Sequence, residues 1–275
     1  MQLINRFQTY VVGANRPVGH FLSRILSNHN LPYTNFSFEN KEKLKTNATS
    51  KPFLVLAPSL EKPEDFQHLD FWIEQAQQQD YPIIFVSSLV VFPASKHEWV
   101  ETDEGHSNHP LAQELLEFED KVRTNRRHLI LRAGAVFSLM DHDFAHRLFN
   151  AMHAKENLVL DSQTLFNPTP ADDVAEVIMA MLKQVNCVDT LWGTYHFNSV
   201  EPVASFQFAD ALFAEASHYE KLGEFEVKES EEGDKPDVWI PTSDNTKLFH
   251  SFGIKPKAWR KGLIRLVKRY YQVAG

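Results

Sequence analysis

An α/β fold is the architecture this sequence predicts: a parallel sheet with helices on both faces, and a smaller C-terminal lobe. Three observations predict it. A short β-prone run, Phe7-Gln-Thr-Tyr-Val-Val12, is closed by Gly13 and followed at once by a helical face. Two compact apolar runs, 53–57 and 82–88, have the continuous hydrophobicity of strands covered on both sides. Strand-like and helix-like segments alternate through the first half, which is how βαβ units read in sequence.

The elements follow in order. Residues 7–12 form the first strand. Val18, Phe21, Leu22, Ile25 and Leu26 share one face of a helix over 18–28. Residues 32–38 read as a second strand, and 39–51 are polar and charged with no firm assignment. The run Phe53-Leu-Val-Leu-Ala57 is the third strand, Pro63 starts a helix reaching about 79, and 82–88 is the fourth strand. A loop leads to a helix over 110–125 and a strand beginning at His128. The second half is less regular. It predicts a helix over 143–154, a short strand over 158–160 and a turn over 168–170. A strongly amphipathic helix over 171–183 follows, with Asp172 and Asp173 at its start, where negative charge suits the helix dipole. A strand over 193–197 and a helix over 204–217 come next. The acidic stretch 224–234 reads as a solvated loop or an edge, and a final helix covers about 256–272. The whole chain is expected to be one unit. The sheet core takes about 1–140 and parts of 158–200, and the lobe takes about 141–157 and 200–275.

Composition narrows the function classes. Hydrophobic residues make up 43 % of 275, enough for a sizeable core. The formal net charge is −8, which argues against a nucleic-acid binder. The single cysteine, Cys187, allows no intrachain disulfide. There is no basic leader followed by an apolar run and no apolar run near 20 residues, so no membrane association and a cytoplasmic location are expected. The histidines are scattered without metal-ligand spacing, and no metal site is expected.

The most informative segment is the turn after the first strand. Gly13, Asn15 and Gly19 permit a tight turn into a helix N-terminus, a place that favours an anion. The layout is that of a dinucleotide-binding turn whose middle glycine is replaced by Arg16, followed by Pro17. The Arg16 guanidinium could pair with a phosphate, or its bulk could fill the space a pyrophosphate would use. After the second strand the nearest carboxylate is Glu39, a poor match for the acid that holds an adenine ribose. Asp141, His142 and Asp143 form a compact cluster read as solvent-facing. The basic residues of the C-terminal helix are read as balancing the acidic stretch 224–234.

Several ordered segments together resemble the extended short-chain dehydrogenase/reductase superfamily, in its dTDP-4-dehydrorhamnose reductase-like, sugar-nucleotide-binding branch. The turn Gly13–Gly19 comes first. Val86-Ser-Ser-Leu-Val-Val-Phe92 is similar to that branch's Ser-Thr-Asp-Tyr-Val-Phe strand end, and Glu101-Thr-Asp103 to the acidic segment after it. Leu129-Ile-Leu-Arg-Ala-Gly-Ala-Val-Phe137, Asn167-Pro-Thr-Pro-Ala-Asp-Asp-Val-Ala175 and Gly193-Thr-Tyr-His-Phe197 match further segments. Ser243-Asp-Asn-Thr-Lys-Leu248 and Trp259 match the C-terminal pattern. The resemblance implies a Rossmann-like sheet and reduction of a keto-sugar with hydride from NADPH or NADH. It also implies a catalytic Ser or Thr, and a tyrosine whose pKa is lowered by a lysine four residues later.

This chain departs from that pattern. Ser88 stands at the Ser/Thr position. Aligning the helix on Glu119 puts Leu111 at the tyrosine and Leu115 at the lysine. The seven tyrosines lie at 10, 33, 81, 195, 219, 270 and 271, and none has a lysine four residues on. His106 and His109 are the nearby candidates for a substitute acid, with a solvent-facing loop as their plain reading. Three functions follow as expectations. The first is a catalytically degenerate member that binds a nucleotide or sugar nucleotide, or acts as a scaffold or regulatory subunit, with cofactor contacts at Gly13, Asn15, Arg16 and Gly19 and NADP or NAD as the cofactor left open. The second is an active reductase or epimerase with a substitute acid. The third is an interaction protein with no small ligand. The resemblance also implies a homodimer through the helices near 64–79 and 110–125, where Leu111, Leu115, Leu116 and Phe118 suit a core or an interface.

Overall fold

The structure, a computed structural model, describes residues 7–44, 52–93, 98–140, 142–234 and 239–272. In chain order its first half holds β1 (Thr9–Val12), α1 (Pro17–Asn28), β2 (Tyr33–Phe36), β3 (Phe53–Leu56), α2 (Leu69–Gln79), β4 (Ile83–Ser88), α3 (Pro110–Arg123) and β5 (His128–Ala133). Then come β6 (Ala135–Phe137), α4 (Phe144–Ala154), β7 (Leu158–Asp161), β8 (Pro168–Pro170), α5 (Ala171–Val185) and β9 (Gly193–Phe197). The chain ends with α6 (Ser205–Ala216), β10 (Val227–Ser230), α7 (Thr246–Phe252) and α8 (Trp259–Tyr270).

Six parallel strands form the central sheet in the order β2-β1-β3-β4-β5-β9. β2 lies on one side of β1 and β3 on the other, with Thr9 opposite both Tyr33 and Phe53. The chain therefore reverses direction across the sheet at β1/β3, which opens a crevice above the strand C-termini. Every residue of β1, β3 and β4 is buried, because helices cover both faces. Leu22, Leu26, Val174, Ile178, Leu182 and Leu248 cover one face from α1, α5 and α7. Trp72, Ile73, Leu111, Leu115 and Val122 cover the other from α2 and α3. A third cluster around Phe208, Phe149, Trp259 and Leu263 joins α4, α6 and α8 in the lobe. The Rossmann-like, doubly covered parallel sheet read from the sequence is present.

The differences are local. The single helix predicted from Pro63 is a 3-10 turn over Pro63–His68 followed by α2, and the turn buries Asp65 and Phe66. The turn at Pro168–Pro170 is the short strand β8, parallel to β6. Within the acidic stretch 224–234, Val227–Ser230 is an edge strand beside β7. Helix α7 had no counterpart in the sequence reading. Of the unassigned segment 39–51, only 39–44 are described, and they carry no helix. The basic residues near the C-terminus do not meet 224–234. α8 packs on β8, directly ahead of α5, so Arg265 and Arg269 reach Asp172, and Arg265 and Lys257 reach Asp173. Among the described residues no helix is long and apolar enough to cross a membrane.

Candidate functional site

The β1–α1 turn is set by steric closeness. Gly13 has φ +87°, and a Cβ there would lie 2.4 Å from the Ala57 carbonyl oxygen and 2.7 Å from the Phe38 ring. A Cβ on Gly19 would lie 2.1 Å from the Gly13 carbonyl oxygen. Only glycine permits this contact between strand and helix. The turn's backbone donors are largely committed. Gly13 and Ala14 donate to the Phe36 carbonyl, Arg16 donates to Gly13, and Pro17 has no N–H. Asn15 is exposed.

Arg16 is buried and fully engaged. Its Nε and Nη2 grip the Asp65 carboxylate at 2.6–3.0 Å, and Nη2 also donates to Glu39 at 3.0 Å. Asp65 is fully buried and also accepts from the Ser59 N–H. Burial pushes its carboxyl up, while the Arg16 hydrogen bond pulls the other way. Contact with Arg16 and Ser37 instead helps hold Glu39 below its ordinary value, after a backbone hydrogen bond at Glu39 itself. One guanidinium thus ties together the turn after β1, the loop after β2 and the segment after β3.

Beyond this cluster lies a cleft of about 990 Å³, counted with its open mouth. Pro17, Val18 and the segment Pro58–Glu61 wall one end. The ends of β4 and β5 form its floor, and Phe137, Phe144, Phe166 and Phe208 close the lobe side. Neither Arg16, Phe38, Glu39 nor Asp65 lines it. Ser88 does, with its Oγ accepting from the Val90 N–H at 3.1 Å and its own hydroxyl hydrogen left to donate. Leu115 also lines it, while Leu111 packs in the core beside Ala112 and Phe118. His106 and His109 are exposed and line no part of the cleft. His109 caps α3, its Nδ1 accepting from the Leu111 N–H at 3.3 Å.

Asp143 was read as solvent-facing, and the structure corrects this: it is buried and lines the cleft. It caps α4 by accepting from the His146 N–H, and it accepts from both the N–H and the hydroxyl of Ser138. Burial pushes its carboxyl up to about 7 against those donors. Asp141 of the same cluster lies outside the described residues. Arg147, one turn into α4, brings the cleft a cation beside the Phe144 ring. Neither role was found from sequence. An Asp directly ahead of an amphipathic run is a recognisable helix cap, but its burial depends on the lobe.

Behind α3 lies a buried polar layer. Glu119 accepts from Arg132, from Arg123 and from the Ser87 hydroxyl. The Arg132 guanidinium sits 5.0 Å from the Phe92 ring, which stacks on Trp99 and meets His196 edge-on. Burial, followed by the Arg132 charge, lowers the His196 pKa to about 3, so its ring is neutral. Asp172 and Asp173, read as charges at a helix start, stand in the first turn of α5 and are bound to Arg265, Arg269 and Lys257. Among the described residues no group of three or more His, Cys, Asp or Glu could hold a metal ion.

At the turn the residues present depart from what a dinucleotide's pyrophosphate would meet. The middle of the turn is an arginine bound to two carboxylates, and Pro17 offers no N–H.

Comparison with known proteins gives consistent matches. The family model described as RmlD substrate binding domain matches residues 72–272. A dTDP-4-dehydrorhamnose reductase from Aggregatibacter actinomycetemcomitans is 23 % identical over 281 residues, covering 92 % of this chain and 96 % of that protein. Among solved structures, a dTDP-4-dehydrorhamnose reductase from Clostridium acetobutylicum aligns with TM-score 0.79 at 16 % identity, over 96 % of this chain and 99 % of the other. The Bacillus anthracis dTDP-4-dehydrorhamnose reductase, solved in complex with NADP, aligns with TM-score 0.76 at 16 % identity, over 96 % and 98 %.

Proposed function

We propose that this chain, which belongs to the RmlD substrate binding domain family, is a catalytically degenerate member that binds a nucleotide or nucleotide-sugar in the cleft beside Ser88. The observation that carries this reading is Leu115 on the cleft wall. A leucine supplies neither the proton nor the charge that tunes one, and Leu111 four residues earlier is sunk in the core. The cleft nevertheless keeps features that suit a ligand. Its aromatic wall can stack on a base, Ser88 can donate, and Arg147 can meet a phosphate.

The test is a thermal-shift titration with dTDP and dTDP-sugars, run beside an assay of NADPH oxidation with a dTDP-4-keto-sugar. A ligand that binds only the folded chain raises the midpoint with concentration. A shift with the dTDP compounds and no turnover is expected. Turnover would overturn the reading.

One observation favours an active alternative: Asp143, whose carboxyl sits near 7 in the cleft wall, is a possible substitute acid. Its oxygens already accept from Ser138 and His146, which leaves it poorly placed to serve a substrate. Under this alternative Asp143→Asn abolishes turnover by the unaltered chain.

A further inference from the structure

We propose that Arg16 is an internal plug that takes the place of a dinucleotide's adenosine half, so that the cleft accepts only ligands that lack it. Dinucleotides in doubly wound sheets lie across the strand C-termini at the switch point, bridging the turn after β1 to the loops after its neighbours. Here that bridge is made by protein. Arg16 leaves the β1–α1 turn, meets Glu39 after β2 and grips Asp65 after β3, the last 49 residues away in sequence.

Four features make the plug permanent in the unaltered chain. The pair is buried, and separating it would strand the Asp65 charge at zero exposure. Phe38, also fully buried, sets its ring against Gly13, where a Cβ would lie 2.7 Å from it. The N–H groups of Gly13, Ala14 and Arg16 are already donated within the protein, and Pro17 has none, so four of the five positions from Gly13 to Pro17 offer a pyrophosphate no donor. Two carboxylates flank the spot, which repels a polyanion. The open cleft begins only at Pro17 and Val18 and runs toward the lobe. Its ligand is therefore a compound such as a nucleoside diphosphate sugar, entering from the lobe side.

This inference rests on the cleft assigned above, and its test can fail separately. NADH is titrated, followed by its own fluorescence, into the unaltered chain and into Arg16→Gly/Asp65→Asn, which removes the plug without stranding a carboxylate. NADH is the right probe because Glu39 could accept from a ribose hydroxyl but would repel a 2′-phosphate. The unaltered chain is expected to show no saturation up to about 1 mM, and the opened variant to bind at least about tenfold more tightly. Arg16→Met/Asp65→Leu keeps the bulk without the charge and is expected to stay closed. If the opened variant does not fold, Arg16→Ala/Asp65→Asn serves the same purpose. Saturable NADH binding by the unaltered chain, or no gain in a folded opened variant, overturns the plug. The first result would leave the sugar-nucleotide reading standing. Silence toward dTDP-sugars with a gain of NADH binding would overturn that reading and leave the plug.

Discussion

The β1–α1 turn and helix α3 bound the same side of the fold, yet they part from the family pattern in different ways. The turn keeps both glycines at which a Cβ would collide with backbone, and it changes the middle position, which only a ligand requires to be small. Helix α3 has a cap at His109 and a buried Glu119, bound to Arg132, and it carries Leu111 and Leu115 where the resemblance implies the tyrosine and lysine. In both places the residues that pack the fold are present, and the positions to which the resemblance assigns ligand and reaction carry other side chains. The difference lies in what stands there. In the turn a charged network took over, with Arg16, Asp65 and Glu39 joining three segments. In α3 apolar packing took over.

The contrast is broken most severely at Gly19. Its Cβ would sit 2.1 Å from the Gly13 carbonyl, and the obstacle is backbone. Gly19→Ala is expected to cost more than about 4 kcal/mol in denaturant unfolding, or to prevent folding. Asn15→Ala, at the exposed position of the same turn, is expected to stay within about 0.5 kcal/mol. Similar small losses at both sites would mean that the turn is not held by contact between strand and helix.

The layer behind α3 can be sharpened through pH. The folded His196 pKa of about 3 lies below the unfolded value of 6.5, so the unfolded chain takes up the proton first. The stability tied to a neutral His196 is complete above pH 6.5 and is lost as pH falls toward 3. Asp143 acts in the opposite sense: its carboxyl near 7 lies above its unfolded value, so stability is lost as pH rises from about 4 to 7. Arg132 and Lys247 lower the His196 pKa, and Asp103 raises it. Unfolding free energies of the chain and of His196→Asn, measured from pH 4 to 6.5, are expected to differ in slope by about 1.4 kcal/mol per pH unit, with the unaltered chain gaining more as pH rises. Parallel slopes would place His196 outside this account.

How much of this was legible in sequence depends on range. Strands β3 and β4 were readable because continuous apolar runs can only be buried, and α5 because its apolar face repeats at helical spacing. β8 was hidden by its two prolines, whereas β10 lies in an acidic stretch that the sequence leaves as a loop or an edge. The loss of the tyrosine and lysine was plain, since the absence of a residue type needs no structure. The fate of Arg16 was not, because its partner Asp65 belongs to a 3-10 turn that reads as ordinary helix. The same limit hid the burial of Asp143 and the pairing of α8 with Asp172 and Asp173. The Arg16–Asp65 and α8–α5 pairs join groups far apart in sequence, and the burial of Asp143 depends on the lobe packed over it, so local pattern carries no signal for any of them.

A smaller effect on stability than at Gly19 is expected where the two regions are tested together. Leu111→Tyr/Leu115→Lys puts the implied phenol and ammonium back on α3. Leu115 faces the cleft, so a lysine there can reach solvent, and the cost is expected to be about 1–3 kcal/mol. If the turn and the helix are separate losses, this pair alone yields no NADH oxidation with a dTDP-4-keto-sugar, because the adenosine side stays closed by Arg16. Arg16→Gly/Asp65→Asn alone yields none either, because no acid is in place. The four changes together are expected to give measurable turnover. Turnover from the α3 pair alone would show that a dinucleotide enters past Arg16, and α3 would then be the only region where function had been lost.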